Sequence, residues 1–188
     1  QIKKLNFSST VRNVSQLLSM KALNDSHPGL KTIRLSNSPN VSEEGLKDIK
    51  VCSKELDEII WHRNGHILSS IPMQELLVDY GQSLLRVTMT NQKSMDDAVL
   101  KLICICCPLL MHLNVSDCEN CSLESKYPCD KKLWNLDALN VDGCWKITPE
   151  NLARFLTMQA PILNHLSCTK CYKISNDFLA KQIVPNKF

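Results

Sequence analysis

A six-residue phrase, Leu-x-x-Leu-x-Leu with apolar substitutes, returns along this chain at a nearly constant interval, and no other feature constrains the fold so tightly. Its seven copies start at Ile2, Leu30, Leu56, Leu84, Leu110, Leu136 and Leu163, so successive starts lie 28, 26, 28, 26, 26 and 27 residues apart. Self-similarity at a fixed period means that each copy supplies one structural unit that cannot bury its apolar face alone. Stacked units share one continuous core, and they stand or fall with their neighbours. The expected fold is therefore an α/β solenoid of about seven repeats, in which each phrase is a short strand and the strands form one parallel sheet on the concave side of an arc.

Helix-start signals follow several phrases and predict what covers the convex side. Ser42 precedes Glu43 and Glu44, Ser94 precedes Asp96 and Asp97, Thr148 precedes Pro149 and Glu150, and Ser175 precedes Asp177. A hydroxyl at the N-cap accepts from an otherwise unpaired amide, and acids in the first turn face the positive end of the helix dipole. Pro149 falls at the first helical position, where a missing N–H costs nothing. Apolar residues then recur at helical spacing, as in Val99, Leu102, Ile103 and Cys106, or Leu152, Phe155 and Leu156.

The later copies carry a longer signature: Leu110-x-x-Leu113-Asn-Val115-Ser-Asp-Cys118, Leu136-x-x-Leu139-Asn-Val141-Asp-Gly-Cys144-x-x-Ile147-Thr148 and Leu163-x-x-Leu166-Ser-Cys168-Thr-Lys-Cys171-x-x-Ile174-Ser175. These resemble the cysteine-containing subclass of leucine-rich repeats, as do Cys107-Pro108-Leu109-Leu110 and its variant Ala160-Pro161-Ile162-Leu163 at the helix ends. The resemblance is sharp from about residue 84 onward and looser before it; Thr10 stands where Cys or Asn is expected, and Lys126 to Lys132 replaces a clean helix. It implies that residues 1–188 are a single leucine-rich-repeat domain of an intracellular protein, cytoplasmic or nuclear. It further implies protein recognition, most often as the substrate-binding part of an F-box subunit of a cullin-based ubiquitin ligase. A Skp-type adaptor and a cullin would then be engaged by a region outside this chain, which begins at Gln1 and is expected to be an excerpt of a longer polypeptide.

Composition fits a folded array. The hydrophobic fraction is 44%, and 22 basic against 19 acidic side chains give a net charge of +3. That balance offers no basic stripe for nucleic acid, and no apolar run is long enough to span a bilayer. Six Asn-x-Ser sequons, at Asn6, Asn13, Asn24, Asn40, Asn114 and Asn120, favour a secreted reading, but Asn6 and Asn114 belong to the strand phrase itself.

Ten cysteines raise the question of metal or redox chemistry. Cys118-x-x-Cys121 and Cys168-x-x-Cys171 have the spacing of zinc-ligand pairs. Cys118, Cys144 and Cys171 also stand eight residues after their repeat starts, so the repeat register alone predicts an inward-facing ladder of small, weakly donating core residues. Cys121 and Cys129 fall outside that register, which leaves a metal- or redox-responsive module centred on Cys118, Cys121 and Cys129 as an alternative. No cofactor is expected.

Enzymatic readings find little support, since the chain has no Gly-rich phosphate loop, nucleophile elbow or His-Glu-x-x-His motif. His112 and His165 hold the same strand position two repeats apart, roughly 10 Å at the usual strand spacing, too far for one metal ion or proton relay. Binding is the expected role. The candidate partner-reading residues are Lys31, Arg34, Asp57, Glu58, His62, Arg63, Arg86, His112, Asp117, Asp137, Asp142, His165 and Lys170, preceded by Lys3 and Lys4. Trp61, Trp134 and Trp145 are anchor candidates by type; Trp61 is expected to be buried because it replaces a core leucine, and Trp145, which follows the ladder cysteine, to be partly exposed. A scaffold or assembly factor without a ligase link is the other binding reading.

Overall fold

The computed structural model describes residues 3–6, 29–36, 55–62, 71–124 and 132–182. Its strands are β1 (Lys4–Asn6), β2 (Thr32–Ser36), β3 (Glu58–His62), β4 (Arg86–Thr90), β5 (His112–Asn114), β6 (Ala138–Asn140) and β7 (His165–Ser167). Each begins two residues into one copy of the phrase, and they pair in sequence order as one seven-stranded parallel sheet.

The register follows from which side chains must leave water. Alternation puts Ile33, Ile59, Val87, Leu113 and Leu139 in one buried row, and Leu35, Trp61 and Met89 in a second. A slip of one residue would turn every one of these to solvent. The first leucines of the phrases, Leu30, Leu56, Leu84, Leu110 and Leu136, are buried in a third row. Burying each such side chain is worth about 1.5–3 kcal/mol, but only if a neighbouring repeat covers it. At β7, the last strand of the sheet, Leu163, Leu166 and Cys168 are accordingly only partly buried.

Among the described residues, four helices follow the strands: α1 (Ile71–Tyr80), α2 (Asp97–Cys106), α3 (Pro149–Met158) and α4 (Asn176–Gln182). α1 buries Met73, Leu76, Leu77 and Tyr80, a stripe of spacing three and four. α2 starts at Asp96, whose carboxylate accepts from the amides of Ala98 and Val99 at 3.0 Å each. Ser94 was the expected cap; Asp96 displaces it because it lies one residue before the first helical turn and can reach two amides at once. Thr148 and Ser175 do cap their helices, accepting from Asn151 N and Phe178 N at 3.2 Å. The cap expected at Ser42 lies outside the described residues, as does most of the segment from Lys126 to Lys132.

Beyond each strand from β4 to β7 the chain turns through a left-handed residue: Asn91 (φ 55°), Asp117 (57°), Gly143 (69°) and Lys170 (57°), all seven positions after a repeat start. Asn, Asp and Gly tolerate that conformation better than other residues, so the signature Asn-Val-Ser-Asp-Cys encodes a turn as well as a strand. The rungs continue through the turns, with the amides of Asn91, Asp117 and Gly143 donating to the carbonyls of Ser116, Asp142 and Thr169 at 2.7–2.9 Å.

Candidate functional site

With one face of the sheet in the core, the other is left open, and the pairing register lines it up in rows. One row is Lys4, Thr32, Glu58, Arg86, His112, Ala138 and His165; the next is Asn6, Arg34, Ile60, Thr88, Asn114, Asn140 and Ser167. From β4 to β7 this face is hollowed into an open trough of about 570 Å³, whose lining includes Arg86, Thr88, His112, Asn114, Ala138, Asn140, His165 and Ser167. Ala138 lies between two histidines in the same row, so the floor is lowest there.

The expected partner-reading residues divide by what their side chains already do. Arg34, Glu58, Arg86, His112 and His165 project from the open face of the strands. His62 also lies on a strand, but its Nδ1 is hydrogen-bonded to the Thr90 hydroxyl of the adjacent strand. Lys31 and Asp57 flank the strands and pair with each other at 3.3 Å, with Glu55 adding a second contact to Lys31 at 3.2 Å; these two contacts raise the Lys31 pKa. Asp137 accepts from Asn164 Nδ2 at 2.7 Å and lies 3.8 Å from His165 Nε2. Asp117 and Lys170 occupy the left-handed turns at the trailing rim rather than the sheet. Arg63 lies outside the described residues.

Asp142 is committed to the fold. Its carboxylate accepts from the Ser167 hydroxyl at 2.8 Å and from the Thr169 amide at 2.6 Å, tying the turn after β6 to the next repeat. Partial burial alone would raise its pKa, but the hydrogen bonds from Ser167 and Thr169 prevail and hold it below the ordinary aspartate value. A depressed pKa in the folded state contributes stability above the unfolded-state value and loses it as pH falls through the folded one. Asp142 therefore acts as an acid-sensitive tie between the last two strands.

Two residues that sequence reasoning read only as repeat grammar prove to shape the trough. Asn114 Oδ1 accepts from Ser116 N at 3.0 Å, and Asn140 Oδ1 accepts from Asp142 N at 2.9 Å. A backbone N–H can only donate, so the amide orientation is fixed by chemistry: each carbonyl oxygen turns toward its own loop, which leaves the Asn140 NH₂ to bond the Asp142 carboxylate. The signal was present in the repeated Leu-Asn-Val, but only the turn geometry says which end of the amide the turn uses.

The cysteine ladder is more specific than small-residue packing. Cys118, Cys144 and Cys171 donate through Sγ to the carbonyls of Met89, Val115 and Val141 at 3.0, 3.1 and 3.2 Å, each in the preceding repeat. In the repeat starting at Leu84 the equivalent residue is Gln92, also buried, which donates to Thr90 O at 3.3 Å. Each of these side chains adds a donor to a carbonyl at a strand end, and at Val115 and Val141 it is a second one, beside the amides of Cys118 and Cys144. Burial pushes the Cys118 thiol up to about 12 and the Cys171 thiol up to about 11.

Cys121, expected to stand apart in an irregular segment, is instead fully buried. A hydrogen bond with Cys144, reinforced by burial, holds it well above the ordinary thiol value. Protonated, enclosed thiols are poor nucleophiles and poor metal ligands. Cys129, the third member of that alternative, lies outside the described residues. The eight described cysteines are free thiols, and no group of three His, Cys, Asp or Glu among the described residues is placed to hold a metal ion. Cys144→Ala should cost about 1–2 kcal/mol by removing buried hydrogen bonds to the Val115 carbonyl and Cys121, while Cys144→Ser, which keeps a donor, should cost less. Urea unfolding of both variants checks this, and indistinguishable losses would mean that the thiol is no more than filler.

The aromatic candidates also separate. Trp61 is buried, whereas Trp134 and Trp145 are exposed, each with a lysine over its ring: Lys132 Nζ at 4.9 Å and Lys146 Nζ at 5.3 Å from the centroid. No helix among the described residues is long and apolar enough to cross a membrane.

No protein-family model matches the sequence, and comparison with curated proteins finds no relative. Among solved structures the chain is similar to one in the crystal structure of the Rad7 and Elc1 complex in yeast, with 13% sequence identity and a TM-score of 0.50. The match covers 98% of this chain and 61% of that one, so what the two share is the repeat-built α/β fold over part of a longer protein.

Proposed function

We propose that this chain is a non-catalytic, intracellular protein-recognition domain of leucine-rich repeats, and that it forms the substrate-binding part of an F-box type subunit of a cullin-RING ubiquitin ligase. The observation that carries the recognition reading is the open sheet face: Arg34, Arg86, His112, Asn114 and Asn140 stand in register on it, and no ion pair engages Arg34, Arg86 or His112 among the described residues. A fold that holds such donors on a rigid sheet loses little conformational freedom when a partner docks, which favours affinity. The solved structure with the same fold is itself a protein complex, that of Rad7 and Elc1, and this supports protein partnership as the domain's trade. Neither a membrane nor nucleic acid is assigned as a partner.

The ligase assignment is tested by mass spectrometry of proteins that co-purify with the full polypeptide carrying this sequence. A Skp-type adaptor and a cullin are expected. A stable partner recovered without either would replace the ligase reading with that of a scaffold or assembly factor.

A further inference from the structure

The strand ends from β4 to β7 lead into a second stack, of four-residue turns that recur from one repeat to the next. In each, the amide of the last residue donates to the carbonyl of the first: Met95 to Gln92 at 3.3 Å, Cys121 to Cys118 at 3.1 Å, Ile147 to Cys144 at 3.1 Å and Ile174 to Cys171 at 2.8 Å. The two middle residues are the turn's tip, and the tips change character along the stack. They are Lys93-Ser94 and Glu119-Asn120 in the first two turns, then Trp145-Lys146 and Tyr172-Lys173 in the last two. Trp145 is 46% exposed and Tyr172 84%. The Gly143 amide donates to Thr169 O at 2.8 Å and Cys171 Sγ to Val141 O at 3.2 Å, so the last two turns follow one another at about the strand spacing of 4.8 Å, and their aromatic residues are neighbours on the rim.

We infer that this rim docks an acidic segment of a protein partner, which sets an apolar side chain on Trp145 and Tyr172 and its carboxylates on Lys146, Lys170 and Lys173. The inference rests on the recognition reading above; it adds a contact surface continuous with the open sheet face through Ser167 and Thr169, and the chemistry of what lies there. Turn tips ordinarily carry small polar residues, whereas tryptophan and tyrosine bring large rigid apolar area and are the residues over-represented among interface hot spots. Lys146 Nζ lies over the Trp145 ring and donates to Asn120 Oδ1 at 2.7 Å, which fixes the ammonium beside the ring without neutralising it. No ion pair engages Lys146, Lys170 or Lys173 among the described residues. Lys170 stands at φ 57°, in the left-handed position that the three preceding repeats give to Asn91, Asp117 and Gly143. Lysine lacks the tolerance of those residues for that conformation, so ease of folding does not explain it; a cation two residues before Tyr172 does.

The neighbouring carboxylates leave this end of the rim positive and set its length. Asp142 is spent on Ser167 and Thr169, and Glu150 and Asp177 lie in the first turns of α3 and α4. Asp117 and Glu119, both exposed, belong to the preceding repeat. The basic and aromatic surface therefore covers two repeats, enough for a short peptide. A nucleic acid strand running on along the stack would bring its phosphates against Asp117 and Glu119.

The probe is a fluorescein-labelled peptide, Glu-Glu-Pro-Leu-Glu-Glu, with Gln-Gln-Pro-Leu-Gln-Gln and Glu-Glu-Gly-Ser-Glu-Glu as controls for charge and anchor, read by anisotropy. The first should bind the wild type more tightly than either control. Joint Trp145→Ala and Tyr172→Ala replacement should lose about tenfold or more in affinity for it, with little change in the circular-dichroism melt because both rings are exposed. Trp134→Ala removes the other exposed tryptophan with a lysine over its ring, placed before β6 rather than after it, and should bind as the wild type does. Lys170→Gly should weaken binding about threefold while unfolding at no lower urea concentration, since glycine suits the left-handed turn; a lysine of purely structural use would leave binding untouched. Equal binding of the three peptides, full binding by the double aromatic variant or by Lys170→Gly, or an equal loss in Trp134→Ala would overturn the inference. Tighter binding of oligothymidylate than of the acidic peptide, abolished in the same double variant, would assign the rim to nucleic acid instead. If the peptide tests fail while Arg86→Glu on the open sheet face strips the full polypeptide of its co-purifying partner, the recognition reading stands and the rim alone falls. Retention of that partner by both Arg86→Glu and the double aromatic variant would take the recognition reading with it.

Discussion

Trp61→Ala is expected to cost about 3–5 kcal/mol, enough to unfold much of the array under mild conditions. The indole sits in the second buried row, in register between Leu35 of β2 and Met89 of β4, and is among the largest fully buried side chains. Truncating it leaves a cavity between repeats whose packing depends on each other, so the loss should spread to both neighbours rather than stay local. Phenylalanine separates the two parts of that cost. The indole N–H is buried with no hydrogen-bond partner, so Trp61→Phe refills most of the volume while removing an orphaned donor. The net loss should be about 1 kcal/mol or less. Urea unfolding followed by circular dichroism reads both, and losses for Ala and Phe within about 1 kcal/mol of each other would show that Trp61 is not the packing element described.

That tryptophan also shows how far the sequence was legible. A residue in a leucine position of a periodic phrase had to be inside, and it is; the same logic made every phrase a strand and put Cys118, Cys144 and Cys171 in one inward ladder. Such facts depend on period alone. Facts that depend on what faces a residue from the next repeat did not show in the text. His62 and Asp142 read as free polar positions, yet Thr90 and Ser167, 28 and 25 residues away in sequence, bind them across the sheet. Lys31 and Asp57 neutralise each other in the same way. Conversely, Asn114 and Asn140 read as spacers because a one-letter pattern does not say which end of an amide a turn will use. Cys121 looked irregular only because its partner, Cys144, comes from the following repeat.

Gly81→Ala should destabilise the protein by about 3 kcal/mol, although the change adds a single methyl group. Gly81 closes α1, donating to Leu77 O at 2.9 Å, at the point where the end of α1 meets the end of α2. A Cβ there would lie 2.4 Å from the Leu77 carbonyl oxygen and 2.5 Å from that of Cys106. Both obstacles are backbone of packed helices, so relief requires moving one repeat away from the next. That movement would stretch the bond from Gln82 Nε2 to Cys106 O, now 3.3 Å. Gly143→Ala is the informative comparison. Its Cβ would meet Asp117 Oδ1 at 2.2 Å, a closer approach on paper, but that atom ends an exposed side chain that can rotate away. What remains is the left-handed conformation at φ 69°, worth roughly 1–2 kcal/mol to a residue with a side chain. Gly81→Ala should therefore lower the urea midpoint by more than Gly143→Ala does. Because α1 and α2 precede and follow β4, it should also shift Arg86 relative to His112 and weaken binding in the trough, which Gly143→Ala should do far less. The reverse order of the two midpoints would mean that the helix ends at Gly81 are not in contact as the geometry has them.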